Sequence, residues 1–145
     1  MKVVLVILAG LISMTGTWET DFLKAKENAK SSNRLILLNF SGSDWCGPCI
    51  KMHKEILDKE VFLEYATKNL VLVQADFPRL KKNRLSDEQQ AKNDQLAELY
   101  NKEGKFPLTL LLSADGKLLK KWEGYPTLSP EAFVEEIKSA SNVAN

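Results

Sequence analysis

The pattern of hydrophobic and polar positions predicts strands and helices that alternate along the chain. Apolar runs at Leu35–Ser41 and residues 70–75 predict two buried strands. About thirty residues with helical character separate them, and a connection of that length predicts a parallel crossover. Strand-like runs at Leu108–Leu112 and residues 117–122 flank Ala114-Asp115-Gly116. This turn signal predicts an antiparallel hairpin.

Helices are predicted before, between and after these strands. Thr20 is the predicted N-cap of a helix that ends near Asn33. Ser86-Asp87-Glu88-Gln89 has the form of a capping box, and Ser129-Pro130 is typical of a helix start. Further helical segments are predicted from Cys49 to about Asp58 and over residues 61–68. The predicted order is helix, strand, helix, strand, helix, hairpin, helix.

This order predicts an α/β fold in which a central mixed sheet, built from the parallel crossover and the C-terminal antiparallel hairpin, is flanked by helices. The chain has 145 residues, of which 44% are hydrophobic and 27% charged, as expected for a single globular domain. The net charge of +1 gives no global field that would attract nucleic acid. A nucleic-acid partner is therefore not expected, and the protein is expected to be a monomer.

The N-terminus has its own composition. Met1-Lys2 precedes a nearly unbroken apolar run over residues 3–14, which is too short to span a bilayer but matches the apolar region of a secretory signal. We therefore predict a signal peptide over residues 1–16 and a folded domain over residues 17–145. A retained membrane anchor and a first buried strand are the alternatives. Export would place the protein in the periplasm or otherwise outside the cytoplasm.

The only two cysteines stand in the run Trp45-Cys46-Gly47-Pro48-Cys49. If Cys46 lies at a helix start, unpaired N–H groups and the helix dipole favour its thiolate, which is the nucleophilic form of cysteine. Gly47 has no side chain to shield the sulfur, and Pro48 suits a first helical turn. Cys49 would follow one turn later and resolve the bond that Cys46 makes. The spacing indicates redox chemistry.

Three other interpretations of the cysteine pair fit the sequence less well. A purely structural disulfide is disfavoured because so short a loop contributes little stability. A zinc site lacks ligands, since Cys46, Cys49 and the only histidine, His53, supply three candidates. Haem attachment requires a histidine directly after the second cysteine, where Ile50 stands. No metal site is predicted.

These residues resemble the thioredoxin-like superfamily. The resemblance rests on the Trp45–Cys49 run, the strand before it, and Phe106-Pro107 before a second apolar strand. Residues 40–46, followed by Asp76-Phe77-Pro78, are similar to small exported bacterial thioredoxin-family proteins in particular. The likeness extends over roughly residues 21–140 and implies a thioredoxin-like fold.

The resemblance also implies roles for residues. Cys46 and Cys49 would be catalytic, and Trp45, Gly47, Pro48, Phe106 and Pro107 would bind substrate. The peptide bond before Pro107 is expected to be cis. The backbone of Phe106 could then pair with an extended substrate strand. The alternatives are a proline that only opens a strand and a tryptophan that only packs in the core.

Family members often carry a buried aspartate in the strand before the cysteine motif and a lysine on the neighbouring strand, and the aspartate assists proton removal from the second cysteine. Here those places fall on Asn39 and about Leu72. Since an amide cannot act as a base, a slow resolving step is expected.

Other polar residues near the motif receive simpler interpretations. His53 is predicted to face solvent and Asp44 to be a turn residue. The loop after the second strand carries four basic residues, Arg79, Lys81, Lys82 and Arg84. It is expected to be only a solvated loop, and the alternative is that it docks an acidic partner.

The predicted activity is thiol–disulfide exchange that reduces disulfides in protein substrates. Since no Gly-x-Gly-x-x-Gly segment follows a strand, no bound cofactor is expected, and an upstream thiol reductase would supply electrons. An oxidant, an isomerase and a thioredoxin-like binding module are the alternatives.

Overall fold

The computed structural model describes residues 16–143, and five strands and five α-helices lie within them. The predicted leader, residues 1–16, lies outside the described residues except for Gly16. The strands are β1 (Trp18–Glu19), β2 (Leu35–Ser41), β3 (Leu70–Asp76), β4 (Leu108–Leu112) and β5 (Leu118–Glu123). The helices are α1 (Phe22–Ser32), α2 (Gly47–Met52), α3 (Glu60–Asn69), α4 (Asp87–Tyr100) and α5 (Pro130–Val143).

All five strands belong to one mixed sheet with the order β1-β3-β2-β4-β5. β3 is parallel to both β1 and β2, whereas β4 is antiparallel to β2 and β5. The predicted α/β class, parallel crossover and C-terminal hairpin are confirmed. β1 was not predicted, because a two-residue strand is defined by its pairing with β3 rather than by a local apolar run.

Side chains that alternate along the strands contribute to two apolar layers, one on each face of the sheet. One layer contains Leu37, Met52, Ile56, Phe62 and Phe133, and so joins the sheet to α2, α3 and α5. The other contains Ala25, Ile36, Phe40, Leu96 and Leu110, and joins the sheet to α1 and α4. Because β2 and β3 are covered on both faces, their sequences are nearly continuous apolar runs.

The helix starts follow the capping rules, with one correction. Asp21, not Thr20, caps α1: its carboxylate accepts the N–H groups of Leu23 and Lys24 at 3.0 and 3.1 Å. The capping box at α4 is half formed, since Ser86 Oγ accepts the Gln89 N–H at 3.1 Å. The Gln89 side chain donates instead to the Thr20 carbonyl at 2.9 Å.

The segment predicted as one helix from Cys49 to about Asp58 differs from expectation. The α-helical part starts at Gly47, and after Met52 it continues as a π-helical turn over His53–Leu57. The wider turn closes with a bond from the Asp58 N–H to the His53 carbonyl at 2.9 Å. Within residues 16–143, none of the helices combines the length and the apolar character that crossing a bilayer requires.

Candidate active site at the start of helix α2

The two sulfurs lie where β2 gives way to α2, and they are joined as a disulfide. Their Cα atoms are 5.2 Å apart. Cys46 is the N-cap of α2 and has an extended backbone, while Cys49 lies inside the first turn. The Cys49 N–H donates to Cys46 Sγ at 3.3 Å. This geometry directs a helix-terminal N–H at the first sulfur, as its position at a helix start predicts.

Access to the pair comes from the side of Gly47 and Pro48. In the disulfide form Cys46 is 4% and Cys49 1% exposed, so Cys49 is the deeper of the two. Gly47 and Pro48 are exposed, and a Cβ atom added at Gly47 would meet nothing within 4 Å. Ile50, one residue further, is also exposed. These small or apolar neighbours leave an open face beside the disulfide.

Trp45 is fixed beside this face. Its Nε1 donates to the Phe77 carbonyl at 2.7 Å, and its ring lies edge-on to Phe106, with centroids 5.5 Å apart. The indole packs on Gly42, where an added Cβ atom would lie 2.6 Å from Nε1. Only glycine fits there without moving the indole. Trp45 therefore combines a structural role with a partly exposed surface.

Pro107 reaches the same region through the register of the sheet. Leu108 pairs with Phe40, so the preceding residue, Pro107, lies next to Ser41 at the carboxyl end of β2. The peptide bond between Phe106 and Pro107 is cis, as expected. Phe106 contacts both Trp45 and Phe77 through its ring. The structure thus brings together the cysteine loop and the Phe106-Pro107 segment, which are about sixty residues apart in sequence.

The place of the expected buried acid is occupied by an amide. Asn39 is 1% exposed, and its Nδ2 donates to Thr109 Oγ1 at 2.9 Å. Thr109 in turn contacts Met52 Sδ of α2 at 3.6 Å. The nearest residue to Asn39 on β3 is Gln74, whereas Leu72 pairs with Leu37. Neither the position of Asn39 nor that of Leu72 therefore carries an ionisable side chain.

Three buried polar atoms among the described residues have no hydrogen-bond partner, namely Asn39 Oδ1, Ser41 Oγ and His53 Nε2. Asn39 and Ser41 are two apart on β2 and so face the same side of the sheet, the side that α2 covers. A cavity of about 360 Å³ between α2 and the ends of β2 and β3 is lined by Ser41, Ile50, His53 and Gln74. Ser41 and His53, whose side chains carry two of these unpartnered atoms, both line it.

The prediction of a solvent-facing His53 is wrong. Only 21% of its side chain is exposed, and its ring packs against Trp18 with centroids 5.4 Å apart. Its Nδ1 lies 3.7 Å from Asp58 Oδ1. The interpretation failed because β1, which carries Trp18, is not evident from the sequence.

Asp44 does more than terminate a turn. It accepts the N–H groups of Arg79 and Leu80 at 2.9 and 3.0 Å and the side-chain amide of Asn83 at 3.0 Å. The Arg79 N–H, followed by the Asn83 amide, lowers the pKa of Asp44 below its ordinary value. The carboxylate thus holds the loop that follows β3, including the 3₁₀ turn Lys81–Asn83.

This loop brings one of the four basic residues to the site. The Arg79 guanidinium carbon lies 3.6 Å from the centroid of a Trp45 ring. Such an exposed cation–π contact contributes about 0.5–1 kcal/mol. The sequence carries no specific signal for this contact, because Trp45 and Arg79 are far apart in sequence and no periodicity links them. Lys81, Lys82 and Arg84 are exposed.

Two comparisons connect the chain with proteins described as a disulfide bond reductase and an oxidoreductase. The chain is 38% identical over 123 residues to disulfide bond reductase DsbH of Chlamydia pneumoniae, an alignment that covers 85% of this chain and 71% of that protein. A solved structure described as DsbH oxidoreductase superposes with a TM-score of 0.77 at 38% identity, covering 86% of this chain and 83% of the other.

A thioredoxin from Thermus thermophilus superposes with a TM-score of 0.64 at 13% identity, covering 88% of each chain, which shows the shared fold. Residues 22–141 match the family described as thioredoxin-like domain. The likeness to DsbH and the Cys46–Cys49 pair together support a thiol–disulfide oxidoreductase. The chain belongs to the thioredoxin-like domain family.

Proposed function

We propose that this protein reduces disulfide bonds in exported protein substrates by dithiol–disulfide exchange. The observation that carries the proposal is the geometry of Cys46, an N-cap residue whose sulfur accepts the Cys49 N–H at 3.3 Å. Such a contact stabilises a thiolate, the form that attacks disulfides. The likeness to a disulfide bond reductase supports the reducing direction.

The exchange proceeds in two steps that balance. The Cys46 thiolate of the dithiol form attacks one sulfur of the substrate disulfide, forms a mixed disulfide and releases the other substrate sulfur as a thiolate. The Cys49 thiolate then attacks Cys46 Sγ and releases the second substrate thiol. Two electrons and, after protonation, two protons pass to the substrate, and the Cys46–Cys49 disulfide remains.

Substrate binding is assigned to the open face around the pair. Trp45, Gly47, Pro48 and Phe106 supply a partly exposed surface of apolar and backbone groups, and Pro107 borders it. An extended substrate segment would lie against the Phe106-Pro107 backbone, where strand-like pairing gives affinity that does not depend on sequence. We place the protein in the periplasm or otherwise outside the cytoplasm, with an upstream thiol reductase to return the disulfide to the dithiol.

The proposal is tested by insulin reduction with dithiothreitol as the electron source. The parent protein is expected to accelerate the reaction, and Cys46→Ser should abolish the acceleration because the attacking sulfur is lost. A folded parent that does not accelerate the reaction would favour a binding module instead.

The direction of electron flow has its own test, an equilibrium titration against glutathione. A reductase is expected to have a potential near that of thioredoxin, about −270 mV. A potential as oxidising as that of DsbA, about −120 mV, would favour the oxidant alternative.

A further inference from the structure

Arg79 is an exposed cation held directly over Trp45, the residue before Cys46. Its guanidinium carbon lies 3.6 Å from the ring centroid, which corresponds to a flat stack on the indole. A stacked guanidinium keeps the N–H groups at its edge available, because only its face is covered. Within residues 16–143, no carboxylate lies within 4.0 Å of the Arg79 side-chain nitrogens.

Both halves of this pair are fixed in place. The Arg79 backbone is held by Asp44, which also binds Leu80 and Asn83, and the indole of Trp45 is held by the Phe77 carbonyl. The Asp44 oxygens accept backbone and amide N–H groups, and no Asp44 oxygen lies within 4.0 Å of the Arg79 side-chain nitrogens. A group that is held before binding loses less conformational freedom when a ligand arrives.

The charges around the pair favour an anion. Lys81 and Lys82 follow on the same loop and are exposed. Arg84 is the fourth basic residue of this loop and is paired with Asp87 at 3.2 Å. Of the nearby acids, Asp76 accepts hydrogen bonds from the backbone N–H and the hydroxyl of Ser43. Arg79 is therefore an exposed cation that contacts the residue before Cys46 and has no acidic partner within 4.0 Å among the described residues.

We propose that the Arg79–Trp45 pair binds an acidic side chain of the substrate, so that the preferred substrates are disulfides with Asp or Glu within a few residues of the cysteine that Cys46 attacks. This inference rests on the proposed function and names its substrate class. The planar guanidinium offers two parallel N–H donors, the geometry that a carboxylate accepts. The indole beneath it positions the guanidinium without an ion pair.

The test uses three disulfide-linked peptides that are identical except for Glu, Gln or Lys two residues from the attacked cysteine. The measured quantity is the ratio of kcat/KM for the Glu and Gln peptides, with dithiothreitol as the electron source. The parent is expected to prefer Glu about fivefold, the upper range for one exposed charge pair. The Lys peptide should be slower than the Gln peptide, and added salt should reduce both differences.

Arg79→Gln is the informative variant, because it keeps the backbone N–H that Asp44 accepts. Its Glu-to-Gln ratio should fall to about one. The matched control is Arg84→Gln, which removes a positive charge from the same loop but not from Trp45, and should keep most of the preference.

Three results would overturn the inference. The first is a parent that reduces the Glu and Gln peptides equally well, and the second is a preference for Glu that persists in Arg79→Gln. The third is an equal loss of the preference in Arg79→Gln and Arg84→Gln, which would indicate that the overall positive charge of the loop attracts the substrate. A parent that reduces the Gln peptide without preferring Glu leaves the proposed function standing. A parent that reduces none of the peptides contradicts both proposals.

Discussion

The side-chain amide of Asn39 donates to the hydroxyl of Thr109 at 2.9 Å, in the layer of side chains between the sheet and helix α2. Both residues are almost fully buried, and they pair across β2 and β4. A neutral hydrogen bond thus stands where many thioredoxins carry an acid. Under the proposed function, the consequence for Cys49 is that its proton leaves by another route, such as water or Cys46.

Replacing Asn39 with aspartate tests this consequence. Asn39→Asp is expected to accelerate the resolution of the mixed disulfide, because a carboxylate can accept the Cys49 proton. The rate of this step can be followed by quenched-flow reaction with a disulfide-linked peptide. Asn39→Ser is the control that removes the amide without adding a base, and it should not be faster. An unchanged resolution rate in Asn39→Asp would contradict the interpretation.

Removing the Thr109 hydroxyl should cost stability. Thr109→Val keeps the shape of the side chain but leaves the Asn39 amide without its acceptor, so the free energy of unfolding should fall by about 1–3 kcal/mol. Thr109→Ser retains the hydroxyl and should lose less. Urea denaturation of the two variants measures the difference. Equal losses would show that the methyl group, rather than the hydrogen bond, determines the stability at this position.

Gly42 and Gly47 form a matched pair of glycines on either side of Cys46. Gly42→Ala should displace the Trp45 indole and destabilise the protein by about 1–3 kcal/mol, since the new methyl group overlaps it. Gly47→Ala adds a methyl group with no neighbour within 4 Å and should not reduce stability. Thermal unfolding and tryptophan fluorescence report the two effects. A tolerated alanine at position 42 would show that the indole is not held there.

The anchoring of the Arg79 loop should depend on pH in a defined direction. The pKa of Asp44 is lowered chiefly by the Arg79 N–H, so its contribution to stability is fully present above the ordinary aspartate pKa, about 3.9. It is lost as the pH falls through the lowered value. The difference in free energy of unfolding between the parent and Asp44→Asn should therefore be constant from about pH 5 to about pH 8, where the carboxylate is ionised, and should shrink below about pH 4.

Amide hydrogen exchange over residues 79–83 provides the local readout for this variant. Asp44→Asn should increase exchange in that loop at pH 7, whereas Asp94→Asn, which changes an exposed carboxylate on α4, should not. Equal protection in the parent and in Asp44→Asn would mean that other contacts hold the loop.

The sequence predicts most of the fold because its signals are local. The apolar runs of β2, β3 and β4 and the Ala114-Asp115-Gly116 turn each carry enough information within a few residues. β1 and the buried position of His53 could not be predicted, because both depend on pairing with residues more than thirty positions away. The π-helical turn after Met52 has no distinct composition, so the sequence indicates only a continuing helix.

The candidate site likewise has features that the sequence predicts and features that it does not. The cysteine spacing, the proline at position 107 and the amide at position 39 are visible in the sequence. The stack of Arg79 on Trp45 is not, since it requires Asp44 to fold the loop after β3 onto the loop after β2. Local patterns therefore indicate the candidate reacting atoms, while the proposed substrate contacts depend on tertiary structure.

Trapping of the mixed disulfide tests the central claim most directly. Cys49→Ser, reduced and then mixed with insulin, should form a covalent adduct through Cys46 that dithiothreitol releases, because the resolving sulfur is missing. Cys46→Ser should form little adduct, since the remaining thiol is the deeper one. Mass spectrometry measures the amount of adduct that each variant forms. As much adduct from Cys46→Ser as from Cys49→Ser, or no adduct from folded Cys49→Ser, would contradict the account.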